Sequence, residues 1–287
     1  MKQVRPKKNL GQHFLTDLTI ARRIADTVDA CPDLPVLEVG PGMGVMTQFL
    51  VGKPRPLKVV EIDRESVAYL KKTLFAERLV GQEQMPDESV PTATPRNSGS
   101  DVIIEGDFLR MDLTTVFGGQ PFVLTGNYPY DISSQIFFKM LDNRDLIPCC
   151  TGMIQHEVAV RMAAKPGNKQ YGILSVLIQA WYDVEYLFTV EPSVFNPPPK
   201  VQSAVIRMTR NSVQHLDCDE QLFRRVVKTV FNQRRKMLRV SLRQIFDSQH
   251  PATDSFYQLP VMTRRPEQLT IAEFVDLTNQ VQQMLND

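Results

Sequence analysis

Four short apolar runs, separated by segments of helical or turn character, constrain this chain more than any other feature: VLEV at 36–39, KVVEI at 58–62, VIIE at 102–105 and FVL at 122–124. Each is rich in β-branched residues and too short for a helix. They read as parallel strands buried on both faces. Helical patterns fall between and after them at 47–51, 64–79 and 132–141. The last places apolar side chains at 132, 136, 137, 140 and 141, one face at a period of 3.6, with Asp131 positioned as its N-cap. Strand alternating with helix predicts a parallel α/β sheet wound right-handed.

The rhythm breaks at 79–100 (LVGQEQMPDESVPTATPRNSGS), where three prolines and a cluster of Ser, Thr and Gly predict a mobile surface loop over 80–100. Beyond about residue 206 the strand pattern stops, and 220–246 and 271–285 read as helical. The expected organisation is a sheet domain over 1–206, opening with a basic arm at 1–12, and a helical domain over 207–287.

Formal charge is +1 for 287 residues, so affinity for a polyanion has to come from how charge is arranged. Residues 224–243 (RRVVKTVFNQRRKMLRVSLR) carry eight basic side chains and no acidic one. A charged helix face is usually just solvated, but this density of uncompensated charge favours phosphate. Lys2, Arg5, Lys7 and Lys8 make a second basic patch. The four cysteines, Cys31, Cys149, Cys150 and Cys218, form no C-x-x-C pair, so neither a zinc site nor a disulfide framework is expected. His156-Glu157 begins like a metalloprotease helix, but Val160 stands where the second His belongs, and no metal is expected. No secretory signal or membrane-length apolar run is present, which predicts a soluble, cytoplasmic protein.

Immediately after the first strand comes EVGPGMG, with Gly40, Gly42 and Gly44. Such a turn lets backbone approach a ligand, but Val45 occupies the third glycine position of the dinucleotide fingerprint, which favours a nucleoside over a pyrophosphate. The second strand ends in VVEID, where Glu61 and Asp63 compete to hold ribose hydroxyls; Asp63 also suits an N-cap, so Glu61 is preferred. After the third strand, Asp107 in EGDF is placed either to bind an adenine amine or to serve as a turn residue.

The fourth strand runs into NYPY at 127–130. The Asn127 amide oxygen and the Tyr128 carbonyl, which Pro129 leaves without an N–H neighbour, can both accept from one amino group, and Tyr130 offers a flat face. That pattern suits methyl transfer to an exocyclic base amine by positioning. Taken alone it reads better as an Asn-capped Pro turn with two core tyrosines; the cofactor loop upstream reverses that preference.

These residues lie in a chain that closely resembles the ribosomal RNA adenine N6-dimethyltransferases. The resemblance spans KKNLGQHFL (7–15), LEVGPGMGVMT (37–47), VVEID (59–63), GDF (106–108), GNYPYDIS (126–133), YGILSVL (171–177), VFNPPPKVQSAVI (194–206) and FNQRRKML (231–238). It implies a Rossmann-like class I S-adenosylmethionine-dependent methyltransferase sheet with a small C-terminal all-α domain. It also implies S-adenosylmethionine as cofactor, held by His13, Leu15, Gly40, Glu61, Asp107 and Asn127, with His13 standing where the family usually has Asn. Asn127, Tyr130 and Phe195 are implied as the catalytic set, Phe195 clamping the flipped base opposite Tyr130. The implied target is N6 of two adjacent adenosines near the 3′ end of 16S rRNA in the small (30S) subunit, modified by a monomer without a metal. The competing readings are a large-subunit rRNA methyltransferase, a non-enzymatic RNA-binding factor and a DNA adenine methyltransferase.

Overall fold

The computed structural model describes Lys7 and residues 13–75, 102–247 and 251–286. The expected loop at 80–100 and all of the basic arm except Lys7 lie outside the described residues. The four expected strands are present as β2 (Val36–Val39), β3 (Leu57–Glu61), β4 (Ile103–Glu105) and β5 (Val123–Thr125), each within a residue or so of its expected place. A two-residue strand, β1 (Phe14–Leu15), precedes them. Beyond them come β6 (Cys149–Gln155), β7 (Tyr182–Val190), β8 (Phe195–Asn196) and β9 (Ser203–Arg210). Seven of these form one sheet in the order β4-β3-β2-β5-β6-β9-β7, and β1 pairs with β8.

The sheet is mixed rather than wholly parallel. Strands β2 to β6 pair in parallel, whereas β9 runs antiparallel to β6 from Cys149↔Thr209 to Gln155↔Ser203. The last three strands had no counterpart in the expected pattern. β6 (CCTGMIQ) carries small, sulfur-bearing and glycine positions instead of a β-branched run, although nearly all of it is buried. A disulfide joins Cys31 to Cys149 across 118 residues, with Cα atoms 5.9 Å apart. It corrects the expectation of unpaired cysteines: the two thiols are remote in sequence, and only the seating of β6 beside the end of the N-terminal helical segment brings them together.

Helix α1 (Leu18–Ala25) is capped by Asp17, which accepts from the backbone N–H of Thr19 and Ile20. Next come α2 (Thr47–Val51) and α3 (Arg64–Lys72), the latter shorter than the expected helix over 64–79. Helix α4 (Ser133–Asp142) corrects the capping expectation. A 3-10 turn at Tyr130–Ile132 precedes it, its N-cap is Ile132, and no side chain caps it. Ile132 N–H donates to Pro129 O, so the proline starts a turn that absorbs Asp131 before the helix begins.

Two compact units emerge. The first takes the described residues up to Ala159 together with Glu185–Thr209; the second takes Val160–Val184 with the described residues from Arg210 onward. The 160–184 segment therefore groups with the C-terminal helices, unlike the continuous division expected near 206. In the first unit, Ile24, Val36, Val59, Val123, Met153 and Val205 belong to one buried cluster. In the second unit α7 (Glu220–Asn232), numbered after α5 (His156–Ala163) and α6 (Ile173–Gln179), buries Phe223, Val226, Val227, Val230 and Phe231 along one stripe. The expected helix over 220–246 is broken after Asn232 by a turn, then resumes as a four-residue helix, α8 (Leu238–Ser241).

Two glycines at the β5–β6 seam govern how closely chain segments approach. A Cβ on Gly152, whose φ is +143°, would lie 2.2 Å from Gly126 O and 2.7 Å from the Tyr128 ring; one on Gly126 would lie 2.7 Å from Val39 O. Gly152→Ala is therefore expected to cost about 3 kcal/mol from strain and overlap together. Gly118→Ala, also at positive φ but in open space, should cost only about 1 kcal/mol. Urea denaturation of both variants measures the difference, and equal losses would show that the seam relaxes.

Candidate functional site at the carboxyl edge of the sheet

The parallel strands all end at one edge, where an open α/β sheet presents its ligand crevice. A cavity of about 270 Å³ lies there, lined by His13, Leu15, Gly40, Glu61, Asp107, Asn127 and Tyr130 among others. Seven of the eight residues singled out from the sequence are thus brought together. Phe195 is not. It pairs with Leu15 across the β1–β8 ladder, is 4 % exposed and belongs to the apolar core cluster, so it does not offer a face opposite Tyr130 in this conformation.

Each strand end contributes through a local device. After β2, Gly40, Gly42 and Gly44 all take positive φ, at 67°, 56° and 76°, which brings the turn close above the strand end. Glu61 ends β3 with both oxygens engaged: Gly42 N–H donates to Oε2 at 2.9 Å and Asp63 N–H to Oε1 at 2.8 Å. Burial pushes its carboxyl above the ordinary range, and these backbone donors hold the rise in check. The competition with Asp63 has a structural counterpart. Asp63 caps α3 by accepting from Glu65 N–H and also accepts from Ser66 Oγ, while Lys7 Nζ lies 2.6 Å away. Burial raises the Asp63 pKa, but the lysine and hydroxyl outweigh it and the net shift is downward. Its acceptors are occupied by protein, and it is absent from the cavity lining.

Asp107 follows β4. Leu109 N–H donates to its Oδ1 at 2.9 Å, and Arg110 Nε lies 3.5 Å from Oδ2. The turn role and the cavity-facing position thus coexist. After β5 the chain is pinned by Tyr128, which is 1 % exposed: its N–H donates to Met153 O at 3.0 Å and its hydroxyl to Thr151 O at 2.9 Å. Asn127 Nδ2 donates to His13 O at 3.5 Å, leaving the amide oxygen available, and no described donor reaches the Tyr128 carbonyl. The Tyr130 ring lies against the His13 imidazole, centroids 5.7 Å apart and planes 26° from parallel, and its hydroxyl meets Ser203 Oγ. His13 in turn donates from Nδ1 to Pro197 O at 2.8 Å.

One lining residue had drawn no attention in the sequence. Glu38, inside β2, is 1 % exposed. It was hidden within a strand read only for its hydrophobicity. A charged residue in a run buried on both faces was the available signal.

With this geometry in place, comparison with known proteins is decisive. Residues 3–283 match the ribosomal RNA adenine dimethylase family. The chain belongs to that family. It is 61 % identical over 287 residues to the ribosomal RNA small subunit methyltransferase A of Phocaeicola vulgatus, covering all of this chain and 93 % of that one. Against the protein of the same description in Bacteroides fragilis it is 62 % identical over 285 residues, covering 99 % and 95 %. The crystal structure of a dimethyladenosine transferase from Plasmodium falciparum shares the fold, with TM-score 0.72, 22 % identity and coverage of 95 % and 98 %. That of the 23S rRNA methyltransferase ErmE gives TM-score 0.58 at 26 % identity, covering 93 % and 99 %. Like its family, this chain is an S-adenosylmethionine-dependent rRNA adenine dimethyltransferase. The cavity suits the group: a positive-φ glycine turn, an acid on each of the next two strand ends and open acceptors on the fourth match a nucleoside with a polar tail.

Glu61→Ala should raise the S-adenosylmethionine dissociation constant by on the order of tenfold or more, as expected for loss of a buried charged acceptor. Equilibrium binding checks this, and an unchanged constant would move the ribose contact elsewhere.

Proposed function

We propose that this chain methylates N6 of two adjacent adenosines near the 3′ end of 16S rRNA, twice each, on the small (30S) ribosomal subunit. We further propose that it does so in the cytoplasm as a monomer. The observation that carries the reading is the pair of open oxygens, Asn127 Oδ1 and Tyr128 O, at the cavity rim beside Glu61 and Asp107. The names of the 61–62 % identical relatives support the small subunit as target.

In this reading Glu61 holds the cofactor's ribose and Asp107 its adenine amine, while Leu15 and His13 border the same cavity. Bound S-adenosylmethionine supplies an electrophilic methyl group on a sulfonium. The chain's own contribution is positioning. Two acceptors fix the hydrogens of the target amine and favour its pyramidal form, in which the lone pair is released from the purine ring toward the incoming carbon. Tyr128, locked into β6 by its backbone and hydroxyl, prevents those acceptors from swinging away. Tyr130 gives the extruded base a face, at the position where the His13 ring rests. For Phe195 to complete a clamp, its ring would have to leave the core.

The basic segment that begins within α7 and continues beyond it supports the RNA reading with fewer groups than the sequence promised. Arg225 donates to Ile245 O and Arg234 to Tyr171 O, both at 3.2 Å, so these two guanidinium groups brace the second unit. Arg235, Lys236, Arg239 and Arg243 are exposed and in position to meet phosphates.

Incubation with labelled methyl donor and unmodified small or large subunits, followed by mapping of the modified nucleotide, tests the assignment. Label in the large subunit alone would overturn it in favour of the other rRNA. Asn127→Ala should slow transfer by on the order of 10³-fold with cofactor affinity retained; single-turnover rates beside equilibrium binding separate the two. Arg235→Glu with Arg239→Glu should weaken subunit binding and flatten its salt dependence. An unaltered slope would assign those side chains to solvation alone.

A further inference from the structure

The segment after β4 makes a single helical turn and then leaves it. Arg110 and Met111 both donate backbone N–H to Asp107 O, at 3.0 and 3.1 Å, and Leu109 N–H donates to the Asp107 carboxylate. A turn that stops after one round leaves its later carbonyls without helical donors. Those of Leu109 and Met111 are met from outside: Lys139 Nζ donates to the first at 3.1 Å and to the second at 2.5 Å, and no other described donor reaches either. The ammonium also lies 5.7 Å from the centroid of the Phe108 ring, which is 4 % exposed. One side chain thus holds Phe108, Leu109 and Met111 together.

The turn so fastened carries part of the site. Asp107, Phe108 and Leu109 line the cavity, whereas Lys139 stands behind them, outside the lining. Lys139 is half-buried in the last turn of α4, whose first residue, Ser133, donates from Oγ to Tyr130 O at 3.1 Å. Six residues of helix, about 9 Å, separate the two anchors. Helix α4 therefore braces the NYPY rim at one end and the Asp107 turn at the other. Burial lowers the Lys139 pKa, and the carboxylates of Asp107, Asp112 and Asp142 oppose that fall. The desolvation is offset by the two carbonyl bonds.

We propose that Lys139 is a positioning residue for the cofactor's adenine: it fixes the turn on which Asp107 stands, and with it the direction in which the carboxylate meets the base's amine. The inference rests on the reading that Asp107 holds that amine. The chain of contacts runs from the ammonium to the Leu109 carbonyl, and from the Leu109 N–H to Asp107 Oδ1 at 2.9 Å. The other carboxylate oxygen has only the exposed Arg110 nearby, Nε at 3.5 Å, which exerts little hold from solvent. Without the ammonium, the carbonyls of Leu109 and Met111 turn toward water. Leu109 N–H turns with its residue, and the carboxylate loses the donor that aims it.

A double-mutant cycle separates this role from a merely structural one. Binding of S-adenosylhomocysteine is measured by calorimetry for the native protein, Lys139→Met, Asp107→Ala and the double variant. Lys139→Met should raise the dissociation constant on the order of tenfold when Asp107 is present, and by less than about twofold when Asp107 has already been removed. A lysine that only holds the fold together weakens binding equally in both backgrounds. That result, or no loss when Asp107 is present, would overturn the proposal. If Lys139→Met shows no cooperative melting transition, Lys139→Gln takes its place in the same cycle. An Asp107→Ala protein that binds as tightly as the native one would overturn the adenine reading itself, and the inference with it; failure of Lys139 alone leaves Asp107→Ala weakened.

Discussion

The burial of one tyrosine ring against two glycines underlies the whole carboxyl edge. Tyr128 is inserted where β5 leaves the sheet, and its hydroxyl and backbone N–H are both spent on β6. The ring fits because Gly126 and Gly152 leave no side chain in its path. Once it is in place, the residues on either side have little freedom: Asn127 is held at the rim and Pro129 starts the turn into α4. The side chain that carries least chemistry thus sets the position of those that carry most. This division of labour also explains why the edge segment can expose polar oxygens without collapsing, since the cost of leaving them open is borne by packing elsewhere.

Much of this was legible in the sequence, and what escaped did so for physical reasons. The first four strands announce themselves because parallel strands buried on both faces must be apolar throughout, and VLEV and KVVEI have few other uses. The acid after each of the next two strands and the NYPY segment after the fourth follow from the same edge rule. Strand β6 escaped because a chain packed against a tyrosine ring and a disulfide needs small and sulfur-bearing residues, which carry no β signature. Pairing of Cys31 with Cys149 depends on tertiary approach across 118 residues, which spacing cannot report. Phe195 was read by resemblance as a clamp; its partner in the ladder, Leu15, is what turns it inward. In the basic run, charge could be counted but not apportioned, because Arg225 and Arg234 find their carbonyl partners only when the second unit is packed.

Electrostatics at the edge are tuned by burial more than by pairing. Glu38, Glu61 and Asp107 face one small cavity, and the first two have pKa values raised by desolvation. Such a cavity favours a ligand that brings positive charge and disfavours one that brings negative charge. Asp63, only two residues from Glu61, goes the opposite way because Lys7 reaches it. Neighbouring acids are thereby placed differently by what covers them: one lines the cavity, the other is committed to a helix start.

The division of the chain into two units has a consequence for its modularity. The backbone passes between them near residues 159, 184 and 209. Trp181, fully buried, meets Phe223 edge-on within the second unit, yet the two residues lie on opposite sides of the final crossing. A fragment ending at residue 209 would keep the indole and lose the phenyl ring that shields it. The units are therefore interlaced rather than appended, and neither could have been acquired or discarded in a single cut.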